Sequence, residues 1–403
     1  MSYEYIERFK KLGFGMFVHF GLYSVVGKGE WYLHSHPGAD VSKYEALTKK
    51  FKVKKSWARE LVKTAKAAGC KYITLTTRHH DGFSLYDTCG LNDYDAPHSA
   101  AGRDLVREFV DACNAEGIIP FFYHTLLDWR HPDYDSNFPS YIDYLVKSVE
   151  ILCKNYGKIG GLWFDGMWNK FDADWQEDRL YGTIRKYQPE AMIINNTGLE
   201  NRGRKGHPEI DSVTFERGRP VLVDTPEKPI AGEMCEVLND HWGYAKDDIN
   251  YKPVSNILES YITCRHCGCN FLLNLGPMGN GSIRPIDKAF FEAIGNWNKI
   301  NKGFLDGAVA TRDIRAEGEV RFFKRGDDYY GVISGVPMMQ CTNEFLSGNA
   351  SDIRLLDGVK IKNARWLDNG RALSLRDGGG RIATEPFYYG TSLYARVFKF
   401  KIK

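Results

Sequence analysis

The fold can be read outward from residues 141–166, YIDYLVKSVEILCKNYGKIGGLWFDG. Leu145, Val149 and Leu152 recur at helical spacing, which predicts a helix over residues 141–156 with one apolar face. Gly157 ends this helix, because glycine readily adopts the left-handed backbone that closes a helix C-terminus. The apolar run at 159–164 does not alternate with polar residues, which is typical of a strand buried on both faces of a parallel sheet.

The same unit occurs twice before this stretch. A predicted helix over residues 56–68 ends at Gly69 and precedes a strand at 72–76, and a helix over 104–116 ends at Gly117 and precedes a strand at 118–123. Further strands are predicted at 16–19, 191–195, 211–215 and 270–275. At least seven strands alternating with helices indicate an α/β fold, a TIM-type (β/α)8 barrel that could be irregular, and a doubly wound open sheet is the alternative.

The pattern changes near residue 305. Short β-rich runs at 320–324 and 329–333 are separated by Gly and Asp turns. At the C-terminus Phe398, Phe400 and Ile402 alternate with lysines, as in a half-buried antiparallel strand. The sequence therefore predicts a catalytic barrel over residues 1–304 and an antiparallel β-sandwich over 305–403.

Composition excludes several classes of protein. Of the 403 residues 43% are hydrophobic and 26% charged, which is typical of a folded globular chain, and the net charge of +3 does not indicate a nucleic-acid partner. No run of about 18 apolar residues predicts a membrane span. The N-terminal residues carry early acids and no apolar core, unlike a signal peptide, and the nine cysteines have no compact spacing. A cytoplasmic protein with free thiols is expected.

The residues that follow the predicted strands are unusually rich in His, Trp, Asp and Glu. Active sites of TIM-type barrels lie at this end of the strands, so the concentration indicates an enzyme rather than a structural barrel. Paired carboxylates across a barrel mouth suit glycoside hydrolysis, and Asp165, at the end of the strand at 159–164, is the candidate nucleophile. The alternative is that Asp165 only caps the following helix.

Several motifs carry a resemblance to a known family. Residues 14–25, 30–32, 78–83, 161–166 and 270–277 resemble, in the same order, motifs of family 29 glycoside hydrolases, the α-L-fucosidases. The resemblance implies a retaining exo-α-L-fucosidase that hydrolyses terminal α-L-fucosyl linkages of oligosaccharides or glycoconjugates through a covalent fucosyl-enzyme. It leaves the preferred linkage, the natural glycan and the oligomeric state open.

The resemblance also implies roles for single residues. Asp165 matches the nucleophile, and eight further residues match the family's sugar contacts, namely His19, Glu30, Trp31, His79, His80, Tyr123, Trp163 and Trp242. These residue types fit fucose chemically, because imidazoles and a carboxylate can hydrogen-bond its hydroxyls while aromatic rings pack on its C5 methyl group.

The acid/base is less fixed. Glu216 is the first choice, since residues 211–216 resemble the family's Asp-x-x-Thr-x-Glu run, and Glu233 and Glu236 are the alternatives. The alternative for Glu216 is a structural ion pair with Arg217 or a neighbouring base. Many relatives carry an arginine shortly after the fifth strand, where this chain has residues 195–197, and Arg202 or Arg204 could substitute for it.

No metal or cofactor is expected. His79 and His80 are adjacent, so their side chains would diverge in an extended segment, and Cys264, Cys267 and Cys269 lack the second half of a zinc site. The expected partner is a fucosylated glycan, with no nucleic acid and no membrane. Two other functions remain open, a retaining glycosidase for another L-sugar such as an L-galactoside, and a catalytically inactive fucose-binding barrel.

Overall fold

A computed structural model describes residues 3–221, 228–318, 320–336, 339–341, 344–345 and 352–403. The chain divides into two compact units, Met1–Lys252 with Cys269–Glu292 and Pro253–Gly268 with Ala293–Lys403. The domain boundary placed between residues 304 and 305 stays a prediction. No described helix is both long and apolar enough to cross a membrane.

The first unit contains a closed barrel of eight parallel strands, each paired with the next and the last paired with the first. The strands are β1 Phe14–Val18, β2 Tyr72–Arg78, β3 Ile119–Thr125, β4 Gly161–Asp165, β5 Met192–Asn195, β6 Ser212–Thr214, β7 Ala231–Glu236 and β8 Asn270–Leu275. The TIM-type prediction is confirmed, and the open-sheet alternative is wrong because β8 pairs with β1 over five residues.

The helices are α1 Glu4–Leu12, α2 Tyr23–Val26, α3 Tyr32–Ser35, α4 Val41–Glu45, α5 Trp57–Ala68, α6 Leu105–Glu116, α7 Asp133–Ser136, α8 Phe138–Asn155, α9 Glu177–Tyr187, α10 Val254–His266 and α11 Pro285–Ile300. Short 3-10 helices lie at Ala46–Lys50, Met167–Lys170, Leu199–Asn201 and Asp377–Gly379. The barrel is irregular, because the described residues between β5 and β6 form only the 3-10 helix Leu199–Asn201 and those between β6 and β7 form no helix.

The interior of the barrel is packed. Helix α1 covers its N-terminal end, where Phe9 is buried with its ring 5.6 Å from the rings of both Tyr72 and Phe121. Above this layer Phe17, Tyr123 and Trp163 belong to the same apolar cluster. A filled interior is typical of this fold, whose ligands bind at the C-terminal end of the strands.

The second unit carries antiparallel sheets. Its strands are β9 Val309–Ala310, β10 Val320–Arg325, β11 Asp328–Ser334, β12 Met339–Cys341, β13 Glu344–Phe345, β14 Asp352–Arg354, β15 Ile361–Trp366, β16 Ser374–Arg376, β17 Arg381–Ala383 and β18 Ala395–Ile402. They form a sheet of order β15-β18-β11-β10-β9, a sheet β14-β17-β16 and the pair β12-β13. Ile353 and Ile382 of the smaller sheet share one core with Phe322, Trp366 and Phe398 of the larger, as in the predicted sandwich.

Candidate active site

A cavity of about 830 Å³ opens at the C-terminal end of the barrel strands. All but one of the ten predicted site residues line it, namely His19, Glu30, Trp31, His79, Tyr123, Trp163, Asp165, Glu216 and Trp242. These residues come from the ends of β1, β2, β3 and β4 and from the segments after β1, β6 and β7, so the barrel brings together side chains more than 200 positions apart. The exception, His80, lies beside Asp165 without lining the cavity.

Asp165 ends β4 and is held by neutral donors. The Tyr123 hydroxyl donates to Oδ2 at 3.0 Å, and the Trp168 indole and the Asn196 amide donate to Oδ1 at 3.3 and 3.2 Å. Gly166, which follows, has φ 98°, a left-handed conformation that suits glycine. The carboxylate is therefore fixed in orientation by its partners on neighbouring segments.

Opposing effects act on the pKa of Asp165. Burial alone would raise it, but the hydrogen bond and charge of His80 and the hydrogen bonds from Tyr123 and Trp168 bring the pKa below its ordinary value. His80 Nε2 lies 3.5 Å from Oδ2. The arrangement stabilises the ionised form of Asp165, the form that a nucleophile or a charge-stabilising group needs.

Glu216 lies two residues after β6, which is separated from β4 by the single strand β5. Burial and the nearby charge of Asp165 raise the pKa of Glu216, while the hydrogen bond from Asn196 opposes the rise. The next residue, Arg217, has φ 47° and stacks its guanidinium over the Trp242 ring at 5.3 Å. Arg217 also donates to the Asp240 carbonyl at 2.7 Å, so its guanidinium has partners other than Glu216.

One amide joins the two carboxyl groups. Asn196 Nδ2 lies 3.2 Å from Asp165 Oδ1 and 2.8 Å from Glu216 Oε2, so these two oxygens are no farther apart than the sum of 3.2 and 2.8 Å. Retaining glycosidases hold their carboxyl groups about 5–5.5 Å apart, and inverting ones about 6.5–9.5 Å apart. The geometry favours the retaining spacing.

Two imidazoles form part of the cavity wall. His19 Nδ1 is 2.7 Å from Asn274 Oδ1, and burial lowers the pKa of His19 to about 3 although this hydrogen bond and Asp165 oppose the shift. Burial also lowers the pKa of His79 well below its ordinary value, and its Nδ1 has no hydrogen-bond partner among the described residues. Both rings are therefore neutral and suited to exchange hydrogen bonds with hydroxyl groups.

Glu30 supports the loop that carries Trp242. Its Oε2 accepts hydrogen bonds from the backbone N–H groups of Trp242 at 3.1 Å and Gly243 at 2.7 Å. Asn274 Nδ2 holds the same loop by donating to the Trp242 carbonyl at 2.6 Å. Burial raises the pKa of Glu30, and the two residues together fix one aromatic wall of the cavity.

A cluster of rings forms another part of the wall. The ring centroid of Trp31 lies 5.0 Å from that of Trp129 and 5.9 Å from that of Trp168, and the rings of Trp31 and Trp168 are nearly parallel. Trp168 lies on the 3-10 helix after Asp165 and lines the cavity, although nothing in the sequence analysis singled it out. The sequence offers one signal for Trp168, namely its position three residues after the candidate nucleophile Asp165.

The structure also separates the alternative residues. Arg204 lines the cavity, whereas the Arg202 guanidinium donates to the Glu216 carbonyl oxygen. Glu233 lies inside the barrel on β7, a strand that was not predicted, where its carboxylate accepts from Tyr72 and from the Trp163 indole. Glu233 is therefore buried in the barrel interior rather than exposed at the cavity wall.

Glu236 is engaged elsewhere. Its carboxylate pairs with Lys252 and does not line the cavity. Among the described residues, no group of three or more His, Cys, Asp or Glu side chains could hold a metal ion. Cys264 and Cys269 are buried and Cys267 is partly buried.

Comparison with known proteins identifies the family. The model of the α-L-fucosidase family matches residues 1–303. The chain belongs to the α-L-fucosidase family. It is therefore a glycoside hydrolase, and the resemblance noted in the sequence is confirmed.

Individual relatives agree with this assignment. The tissue α-L-fucosidase of Bos taurus is 27% identical over 368 residues, which cover 81% of this chain and 74% of that protein. The structure is similar to that of α-L-fucosidase isoenzyme 1 from Paenibacillus thiaminolyticus, with a TM-score of 0.85, 30% identity and 99% of both chains covered. An α-L-fucosidase from Bacteroides thetaiotaomicron, 23% identical, shares the fold with a TM-score of 0.81 over 99% of this chain and 95% of that one.

Proposed function

We propose that the chain is a retaining exo-α-L-fucosidase in which Asp165 is the nucleophile and Glu216 the acid/base. The observation that carries this proposal is the pair of carboxyl groups bridged by one amide nitrogen at the wall of a single cavity. The two alternatives, an L-galactosidase and an inactive fucose-binding barrel, are kept as outcomes of the test below.

In the first step Asp165 attacks the anomeric carbon of the terminal fucosyl residue. The bond to the leaving oxygen breaks as Glu216 delivers its proton to that oxygen, and a covalent bond between Asp165 and C1 forms. The oxocarbenium-like transition state carries positive charge, which the ionised Asp165 stabilises. Tyr123 and Trp168 fix the carboxylate for this attack.

In the second step a water molecule replaces the leaving group. Glu216, now ionised, takes a proton from the water as its oxygen attacks C1, and the bond to Asp165 breaks. Two inversions leave the product with the configuration of the substrate. Fucose departs, Asp165 is again ionised and Glu216 is again protonated.

The pKa shifts set the pH dependence. Activity requires Asp165 ionised, so it falls as the pH drops through the lowered pKa of Asp165. It also requires Glu216 protonated, so it falls as the pH rises through the raised pKa of Glu216. A bell-shaped profile of kcat/KM against pH follows, with an optimum between mildly acidic and neutral pH.

The rest of the cavity suits a deoxy sugar. The neutral rings of His19 and His79 can exchange hydrogen bonds with adjacent hydroxyls, while Phe17, Trp163 and Trp242 offer apolar ring surface for a methyl group. The packed barrel below closes the cavity at one end. A cavity closed at one end accepts a chain terminus, which supports exo action.

The test is hydrolysis of 4-nitrophenyl α-L-fucoside by the wild type and by Asp165→Gly, each with and without azide. We expect the variant to lose about 10⁴-fold or more of kcat, and azide to restore part of the activity as β-fucosyl azide, because the small anion occupies the space of the lost carboxylate. Asp172→Gly, an exposed aspartate on the same connection between β4 and α9, is the control and should keep wild-type activity.

Other outcomes reject parts of the proposal. A wild type that binds fucose without turnover would be an inactive fucose-binding barrel, and one that prefers the L-galactoside would have a different substrate. A wild type that is active together with a fully active Asp165→Gly would remove Asp165 from the mechanism.

A further inference from the structure

Asn196 occupies a position between the two carboxyl groups that none of the roles above explains. It directly follows β5, the strand between β4, which ends in Asp165, and β6, which precedes Glu216. Its side chain is buried at the cavity wall, and its backbone N–H donates to the Phe164 carbonyl at 2.8 Å, one residue before Asp165. The amide is therefore anchored to the backbone of the strand that carries the proposed nucleophile.

The orientation of this amide is set by a third residue. The Thr214 hydroxyl, two positions before Glu216, donates to Asn196 Oδ1 at 2.8 Å. The amide oxygen is thus turned toward Thr214, which leaves the NH₂ group facing Asp165 Oδ1 and Glu216 Oε2. An amide nitrogen carries two hydrogens and accepts none, so it can donate one hydrogen to each carboxyl group.

This arrangement has a consequence for the proton of Glu216. When Glu216 is neutral, its Oε2 still accepts the hydrogen bond from Asn196, so the acidic proton resides on Oε1. Oε1 is then the oxygen that serves the leaving group in the first step and the water in the second. The same N–H group favours the ionised carboxylate, which opposes the rise in the pKa of Glu216.

We propose that Asn196 is a positioning residue that holds Asp165 and Glu216 at one amide nitrogen and directs the acid proton of Glu216 to Oε1. This inference rests on the proposed roles of those two carboxyl groups. The neighbouring Asn195 cannot do this, because its amide donates to the Tyr181 hydroxyl at 3.2 Å and contacts the Met167 sulfur at 3.5 Å.

The test is the pH profile of kcat/KM for Asn196→Ala and Asn196→Asp on 4-nitrophenyl α-L-fucoside. In Asn196→Ala both carboxylates lose a donor that stabilises their ionised forms, so both limbs of the profile should move to higher pH. The maximum should also fall by about 10²-fold, the typical cost of a misplaced reacting group. Asn196→Asp introduces a like charge next to both groups, so its limbs should move further in the same direction.

Asn195→Ala is the matched control, since it removes an amide from the adjacent position without touching either carboxyl group. Its limbs should stay at the wild-type pH values. Thr214→Val is a second route to the same conclusion, because it removes the donor that orients the amide without changing its chemistry. It should displace the limbs less than Asn196→Ala does, and it keeps the inference testable if Asn196→Ala fails to fold.

The outcomes separate this inference from the proposed function. If the wild type is active and Asp165→Gly is not, but the Asn196 variants only lower the profile without moving its limbs, Asn196 has a packing role and the inference is wrong. If the wild type hydrolyses no fucoside, the proposed function fails first. Limbs that move in Asn196→Ala and Thr214→Val but not in Asn195→Ala support the inference.

Discussion

The two ends of the barrel each hold a carboxylate with several hydrogen-bond partners, and the two carboxylates are satisfied in different ways. Asp211, directly before β6 at the N-terminal end, forms ion pairs with Arg185 and Lys228, both at 2.7 Å, and accepts a hydrogen bond from Tyr5 at 2.9 Å. Asp165, at the C-terminal end of β4, accepts from the neutral groups of Tyr123, Trp168 and Asn196.

The difference separates a carboxylate that holds the fold from one that can react. Two cations neutralise Asp211 and leave it nothing to offer a ligand, and removing it would take away the buried negative charge that both cations contact. Neutral donors orient Asp165 and, together with His80 at 3.5 Å, favour its ionised form, which keeps a negative charge at the cavity. That charge remains available to a positively charged transition state.

A large effect on the leaving-group dependence is expected at the mouth of the barrel. Glu216→Ala should lower kcat/KM by about 10³-fold for fucosides with poor leaving groups, because these need a proton from the acid. The loss should be smaller for 4-nitrophenyl fucoside, whose leaving group departs without full protonation. The measurement is kcat/KM for a series of aryl fucosides of differing leaving-group pKa.

Glu236→Gln provides the contrast for that series. Glu236 is paired with Lys252 outside the cavity, so its variant should show no dependence of the loss on the leaving group. If the loss of kcat/KM depended on the leaving group in Glu236→Gln and not in Glu216→Ala, the acid/base would be Glu236 instead.

The next effect concerns the base of the barrel. Asp211→Asn leaves the charges of Arg185 and Lys228 without their buried partner, so the free energy of unfolding should fall by about 3–5 kcal/mol. The folded fraction should keep near wild-type kcat. Urea unfolding combined with the activity of the folded protein measures both quantities.

Asp165→Asn should give the opposite pattern. Its activity should be lost while its free energy of unfolding changes by only about 1 kcal/mol, since the amide oxygen can still accept from Trp168 and Asn196 and the Tyr123 hydroxyl can turn to accept from the amide nitrogen. Equal losses of stability in both variants would contradict the distinction between the two ends of the barrel.

Much of this arrangement could be predicted from the sequence, for a physical reason. Apolar runs such as 159–164 identify parallel strands, and the C-terminal ends of such strands meet at one rim. Residues at those ends, such as Asp165 and His79, therefore had to lie close together whatever the loops did. The barrel and the cavity residues at its strand ends follow from that rule, whereas Glu30, Trp31 and Trp242 were found through the family resemblance.

The remaining features depend on contacts between distant residues. Strand β7 begins Ala231-Gly232-Glu233, which breaks the apolar pattern of a buried strand. Its glutamate is tolerated only because Tyr72 and Trp163, far away in sequence, donate to it. The side chain of His80 likewise lies beside Asp165, with its Nδ1 2.6 Å from the Thr125 hydroxyl. No spacing in the sequence predicts this contact.

Glu233 is a carboxylate of a third kind. Among the described residues it has no paired cation, and it does not line the cavity. Burial raises its pKa to about 7 from the ordinary 4.5, although the hydrogen bonds from Tyr72 and Trp163 oppose the rise. Between these two pH values the folded chain holds a proton that the unfolded chain has released. The stability that this proton contributes is complete below pH 4.5 and is lost as the pH rises through about 7.

Glu233→Gln should remove this dependence, because glutamine keeps the shape and stays neutral. Relative to wild type, the free energy of unfolding of the variant should rise with pH from about 4.5 to about 7, by up to about 3 kcal/mol. Urea unfolding across this pH range measures the difference. A difference that stays constant with pH would mean that Glu233 ionises normally inside the barrel, and that a buried carboxylate here needs neither a cation nor a proton.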